Sequence, residues 1–98
     1  MIKIKLIPEE PYFNKCEVAV IDVTDGKEKQ RCKITVEYGE YDVEELKKKG
    51  ITDKPAAMKY YRGYIYDLIK YYIIGDFEYT GGLDQVLDII SEHLPEKF

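Results

Sequence analysis

The sequence predicts an α+β domain: a three-stranded antiparallel meander followed by three helices packed on one of its faces. Three observations carry that expectation. The first half of the chain alternates apolar and polar residues around an Asp25-Gly26 turn; the second half shifts to helical periodicity; and Gly50, Gly75 and Gly81-Gly82 cut that second half into helix-length pieces.

The first strand, expected at 2–7, sets Ile2, Ile4 and Leu6 against Lys3 and Lys5, one face buried and one wet. Pro8, Pro11 and Asn14 then break the pattern, leaving a loop whose Tyr12 and Phe13 should fold back as a lid. The second strand, 16–24, is apolar on both faces, with Val18 and Val20 on one and Ala19, Ile21 and Val23 on the other, which marks a central strand. Asp25-Gly26 supplies the positive φ of a hairpin turn, and the third strand, 30–38, alternates Cys32, Ile34, Val36 and Tyr38 with Lys33, Thr35 and Glu37.

Helix one is expected at 42–49. An Asp42–Glu45 capping box would open it, and Lys47, Lys48 and Lys49 complement the dipole at its end. Helix two, 54–74, takes Asp53 as its cap and Pro55 in the first turn, where amide protons have no partner. Residues 76–80 read either as a connector or as a short fourth strand. Helix three, 82–94, carries Leu83, Val86, Leu87, Ile90 and Leu94 on one face and stops at Pro95.

With 98 residues, 1–98 should form a single domain. A net charge of −4 and a pI near 5.0 give an overall field that does not favour a polyanion. The N-terminal MIKIKLIPEE lacks the apolar run of a signal peptide, and no window approaches the roughly 18 apolar residues of a membrane span, so a soluble cytoplasmic protein without a membrane partner is expected. Asn14 is the sole asparagine and Ser91 the sole serine, while Lys and Glu abound, the balance seen in proteins of hyperthermophiles. The hairpin should place Cys16 opposite Val36–Tyr38 and Cys32 opposite Val20–Asp22, too far apart for a disulfide and leaving two small core thiols.

Ten tyrosines and no tryptophan set this chain apart, and most of the tyrosines fall between Tyr60 and Tyr79. In the run from Met58 to Ile74, the stripe Met58, Tyr61, Ile65, Leu68 and Tyr72, with Ile69 and Ile73 beside it, should face the sheet. A second stripe of Tyr60, Tyr64, Tyr71 and Ile74, with Asp67 among them, is the candidate interface. Tyrosine offers large contact area and a polar tip at low entropic cost. The competing expectation is that helix three and the Tyr12-Phe13 loop cover this stripe within one monomer. The polar edge of Lys59, Arg62, Tyr66 and Lys70, beside Gly63, has the make-up of a single-strand nucleic-acid contact, though a solvated helix face has the same composition.

Thr80-Gly81-Gly82 at a helix start resembles an anion site only in outline: its spacing matches neither a Walker loop nor a dinucleotide fingerprint, and Asp84 takes the first turn. Asp84, Asp88 and Glu92 line one helix face, which points to water, holds a divalent metal, or meets the Lys59–Arg62–Lys70 edge of a second subunit. His93 has no exposed thiol to activate, and Ser91 lies in a helix, so no catalytic residue, metal ligand or cofactor is assigned. The expectation is a non-catalytic protein-interaction module, a homodimer or the partner of another protein, working through the tyrosine helix. The alternatives are a nucleic-acid-binding accessory protein using the basic edge, and a small-ligand protein or enzyme with an aromatic pocket lined by Tyr12, Tyr61 and Cys32.

Overall fold

A computed structural model describes residues 2–9, 15–38 and 40–98 of the chain. The expected lid of Tyr12 and Phe13 lies outside them. Strand β2 (Lys15–Thr24) runs through the middle of the sheet, antiparallel to both β1 (Ile2–Pro8) and β3 (Lys27–Glu37), as its two apolar faces require. The hairpin closes directly on Asp25 and Gly26, whose φ angles of 53° and 75° define a two-residue turn matched to strand twist; β3 therefore starts at Lys27, earlier than its apolar alternation does.

Residues 77–81 settle the open segment. They form a fourth strand, β4 (Phe77–Gly81), parallel to β1, so the sheet is mixed, in the order β3-β2-β1-β4. Ile2 N–H donates to the Asp76 carbonyl at 2.9 Å, and Thr80 Oγ1 donates to the Ile4 carbonyl at 3.0 Å. Parallel pairing needs a long crossover. Here it includes α1 (Glu40–Lys48) and α2 (Lys54–Tyr72), and α3 (Leu83–Glu92) follows β4.

Helix α1 begins at Glu40, so Asp42 and Glu45 lie inside it and not at its start. Helix α2 stops at Tyr72. Ile73, in extended backbone, caps it and turns into the core, leaving Ile74 outside. Helix α3 is shorter than expected because Gly82 and His93 are its caps, although Leu94 beyond them is still buried.

The core forms where Ile4, Leu6, Val18, Val20, Ile34 and Val36 meet the apolar faces of α2 and α3. The sheet touches α2 along an i, i+4 ridge, Ala57–Tyr61–Ile65–Ile69–Ile73. That corrects the expected inward stripe: Met58 and Leu68 are half-buried at its margin, and Tyr72 is 54% exposed. The register sets Cys16 opposite Val36 and Cys32 opposite Val20, as the hairpin implies, and both thiols are free. Burial pushes both thiols above their ordinary pKa, away from the reactive thiolate.

Strand β2 also holds a buried carboxylate that the strand pattern hides. A bulge after Val20 leaves Arg31 without a cross-strand partner, and its guanidinium turns onto Asp22, 3.2 Å from Nε and 2.8 Å from Nη2 to Oδ2. Thr24 Oγ1 donates to Oδ1 at 2.7 Å. The Arg31 bonds first, and the Thr24 bond after them, hold the Asp22 carboxyl below the usual aspartate range.

Candidate functional site: the outward face of α2

Asp53 opens α2 by accepting a hydrogen bond from Ala56 N–H at 2.9 Å, and Pro55 sits in the first turn, as expected. With Ala57, Tyr61, Ile65 and Ile69 committed to the sheet, the opposite side of the same helix faces outward. Lys59, Gly63, Asp67 and Lys70 are exposed there, flanked by tyrosines. Tyr64 is 38% exposed, Tyr71 82% and Ile74 96%. Tyr60 is half-buried.

These four stripe residues fall into two groups. Tyr60 and Tyr64 stack with ring planes 14° apart and centroids 6.1 Å apart. Lys49 pins that pair: its Nζ donates to Tyr60 Oη at 3.1 Å and lies 4.9 Å from the ring centroid, and the hydrogen bond raises the Lys49 pKa. Tyr71 and Ile74 stand apart at the C-terminal end, with Tyr71 edge-on to Tyr72 at 5.1 Å.

The polar edge is partly engaged within the chain. Arg62 Nη2 lies 3.2 Å from Asp84 Oδ1, and Lys70 Nζ lies 5.5 Å over the Tyr66 ring. The first of the three acidic residues on α3 therefore meets a cation of the same chain. Both partners are more than half exposed, so the pair stabilises the fold by no more than about 1 kcal/mol. Lys59 and Asp67 have no ion pair among the described residues.

Gly63 lies at the centre of this face. A β-carbon there would have no neighbour within 4 Å, and two shallow grooves meet at it. One is lined by Ile51, Ala56, Tyr60, Tyr64 and Asp67. The other, toward α3, is lined by Arg62, Tyr66, Tyr79 and Leu83. The Tyr79 hydroxyl is buried with no hydrogen-bond partner among the described residues, and burial pushes its pKa up to about 12.

A separate cleft of about 400 Å³ opens between α1 and α2, lined by Glu37, Asp42, Glu45, Lys49 and Tyr60, Tyr61 and Tyr64. Tyr61 donates its hydroxyl to the Glu37 carbonyl at 3.2 Å, and burial raises its pKa. Tyr61 thus lines a cavity, as expected of an aromatic pocket, but Cys32 does not, and Tyr12 is outside the described residues.

The remaining candidates have structural work. Gly82 presses against the Leu6 carbonyl at the start of α3, with Asp84 in the first turn, so Thr80-Gly81-Gly82 is a junction between strand and helix. His93 Nδ1 lies 2.8 Å from the Ile89 carbonyl, and its ring packs 5.0 Å from that of Tyr38. Among the described residues no three His, Cys, Asp or Glu side chains gather as a metal site would need, and no helix is long and apolar enough to cross a membrane.

Sequence spacing alone did not single out the ridge Lys59–Gly63–Asp67. Its signal is the i±4 interval centred on a glycine, which becomes visible only once Gly63 is known to face outward. Comparison with protein-family models, curated proteins and solved structures gave no match, so no relative's activity bears on this face.

Proposed function

We propose that this protein is a non-catalytic interaction module that self-associates through the outward face of α2, with Tyr60, Tyr64, Tyr71 and Ile74 as its apolar contacts. The observation that carries this reading is the exposure of Tyr71 and Ile74, 82% and 96%, on the helix that also presents the pinned Tyr60–Tyr64 pair. Burying apolar surface stabilises association by roughly 25 cal/mol per Å², and tyrosine, with only two side-chain torsions, loses little freedom in doing so. A net charge of −4 and the engagement of Arg62 by Asp84 make the same face a poor match for a phosphate backbone. The free thiols and charge-rich composition fit work in the cytoplasm.

The test is the solution mass by light scattering, at low and high salt, of the wild type and of Tyr64→Lys combined with Tyr71→Lys. A wild-type dimer at both salts is expected, and a folded monomer for the double variant, since both rings are exposed in one subunit. A folded dimer after the double change, or a monomeric wild type, overturns the reading.

A further inference from the structure

We propose that the two copies of α2 pack antiparallel about a two-fold axis at Gly63, with Lys59 of each copy opposite Asp67 of the other. This inference rests on the reading that the outward face of α2 meets a second copy. An antiparallel two-fold pairs position 63 − n with position 63 + n, because a symmetric interface presents one patch to itself. The sequence is arranged for that operation. Lys59 stands four residues before Gly63 and Asp67 four after. Opposite charges then meet twice across the axis, whereas a parallel pairing would set lysine on lysine and aspartate on aspartate.

The helix geometry agrees with the charge order. Lys59, Gly63 and Asp67 are spaced at i±4 and form one surface ridge. Helices that meet along such ridges cross at about 50° with axes 8–10 Å apart, the shorter distances needing small side chains at the crossing point. Gly63 has none, and apart from the local backbone of α2 nothing lies within 4 Å of where a β-carbon would be, so a second backbone can approach there. Lys59 and Asp67 are both exposed and without an ion pair among the described residues, unlike neighbouring Arg62, which its own subunit already holds.

The same operation gives the most exposed ring a place. Tyr71 is eight residues past Gly63, so its copy stands level with residue 55, at the end of the groove where Ile51 and Ala56 lie. Tyr60 and Tyr64 of both copies fall on the same side of the axis.

Charge exchange tests the arrangement. Lys59→Asp alone sets aspartate against aspartate twice, and Asp67→Lys alone sets lysine against lysine twice. Each should weaken dimerisation on the order of tenfold to a hundredfold, since symmetry doubles every change. Mixed together, the two variants should form a heterodimer, counted by native mass spectrometry, and Lys59→Asp with Asp67→Lys in one chain should restore the homodimer. Gly63→Gln should yield a monomer whose melting temperature, measured at low protein concentration, is not lowered.

Single charge variants that dimerise like the wild type, a mixture that forms no heterodimer, or a dimeric Gly63→Gln protein would each overturn the antiparallel pairing. If Tyr64→Lys with Tyr71→Lys still gives a monomer in that case, the tyrosine face stands as the interface and only its geometry falls. A wild type that is monomeric at every concentration overturns both.

Discussion

The backbone of Gly82 lies so close to that of Leu6 that a β-carbon at position 82 would sit 1.6 Å from the Leu6 carbonyl oxygen. Gly82 also has a φ of 90°, a conformation that other residues enter only at a cost. The contact lies where β4 passes into α3, and it sets how deeply α3 seats on β1. Gly82→Ala therefore meets two penalties: about 1–2 kcal/mol for the left-handed backbone and about 1–3 kcal/mol for overpacking against an atom that cannot rotate away. The variant should lose about 3 kcal/mol or more in a urea titration. A loss below about 1 kcal/mol would show that α3 can shift off β1 at little cost.

Gly63→Ala should have the opposite sign. Gly63 lies inside α2 in open space, so alanine meets no clash and gains roughly 1 kcal/mol of helix propensity. The gain should appear in urea titrations at low protein concentration, where association does not contribute to the measured stability. A destabilised Gly63→Ala monomer would mean that something packs against this face within the subunit.

Asp22 gives the fold an acid limit. Its carboxyl pKa is depressed by the Arg31 hydrogen bonds, then by Thr24, with the charges of Arg31 and Lys29 acting in the same direction. A depressed carboxylate contributes stability that is fully present above its unfolded pKa, about 3.9, and is lost as pH falls through the lower folded value. Melting temperatures taken from pH 7 down to pH 2.5 should separate wild type from Asp22→Asn at neutral pH and converge in acid. Glu9, whose pKa is lowered chiefly by its hydrogen bond with Lys33, adds a slope common to both proteins. Parallel curves throughout would remove Asp22 as the source of the difference.

The strands of the meander were legible because each carries its own period-two signal, and the Asp25-Gly26 turn fixed the hairpin register that separates Cys16 from Cys32. β4 was ambiguous because a five-residue edge strand takes its identity from backbone pairing with β1, which no local pattern reports. The start of α1 is not legible because Asp42–Glu45 has the spacing of a cap, whereas the helix already runs from Glu40. On α2 the outward tyrosines were readable, but the inward line was not: with apolar residues on most sides, several stripes compete, and only the ridge meeting the sheet decides between Leu68–Tyr72 and Ile69–Ile73. Asp22 was hidden because a buried charge in a strand depends on a bulge that frees a distant arginine.

Ile73 and Ile74 are chemically identical neighbours whose surroundings differ as much as two positions can. Ile73 is 6% exposed and caps α2 with its N–H on the Ile69 carbonyl at 2.9 Å; Ile74 is 96% exposed. Ile73→Ala removes a core side chain and should cost about 2–4 kcal/mol of folding stability. Ile74→Ala should leave the fold of one subunit unchanged to within about 0.5 kcal/mol, because it removes nothing the subunit has buried. Its effect should appear in association, where each copy loses apolar contact and dimerisation weakens on the order of tenfold. Urea titration at low concentration and sedimentation over a range of concentrations read the two quantities separately. If Ile74→Ala leaves the dissociation constant untouched, the C-terminal end of α2 lies outside the interface, and the contact is confined to the turns around Gly63.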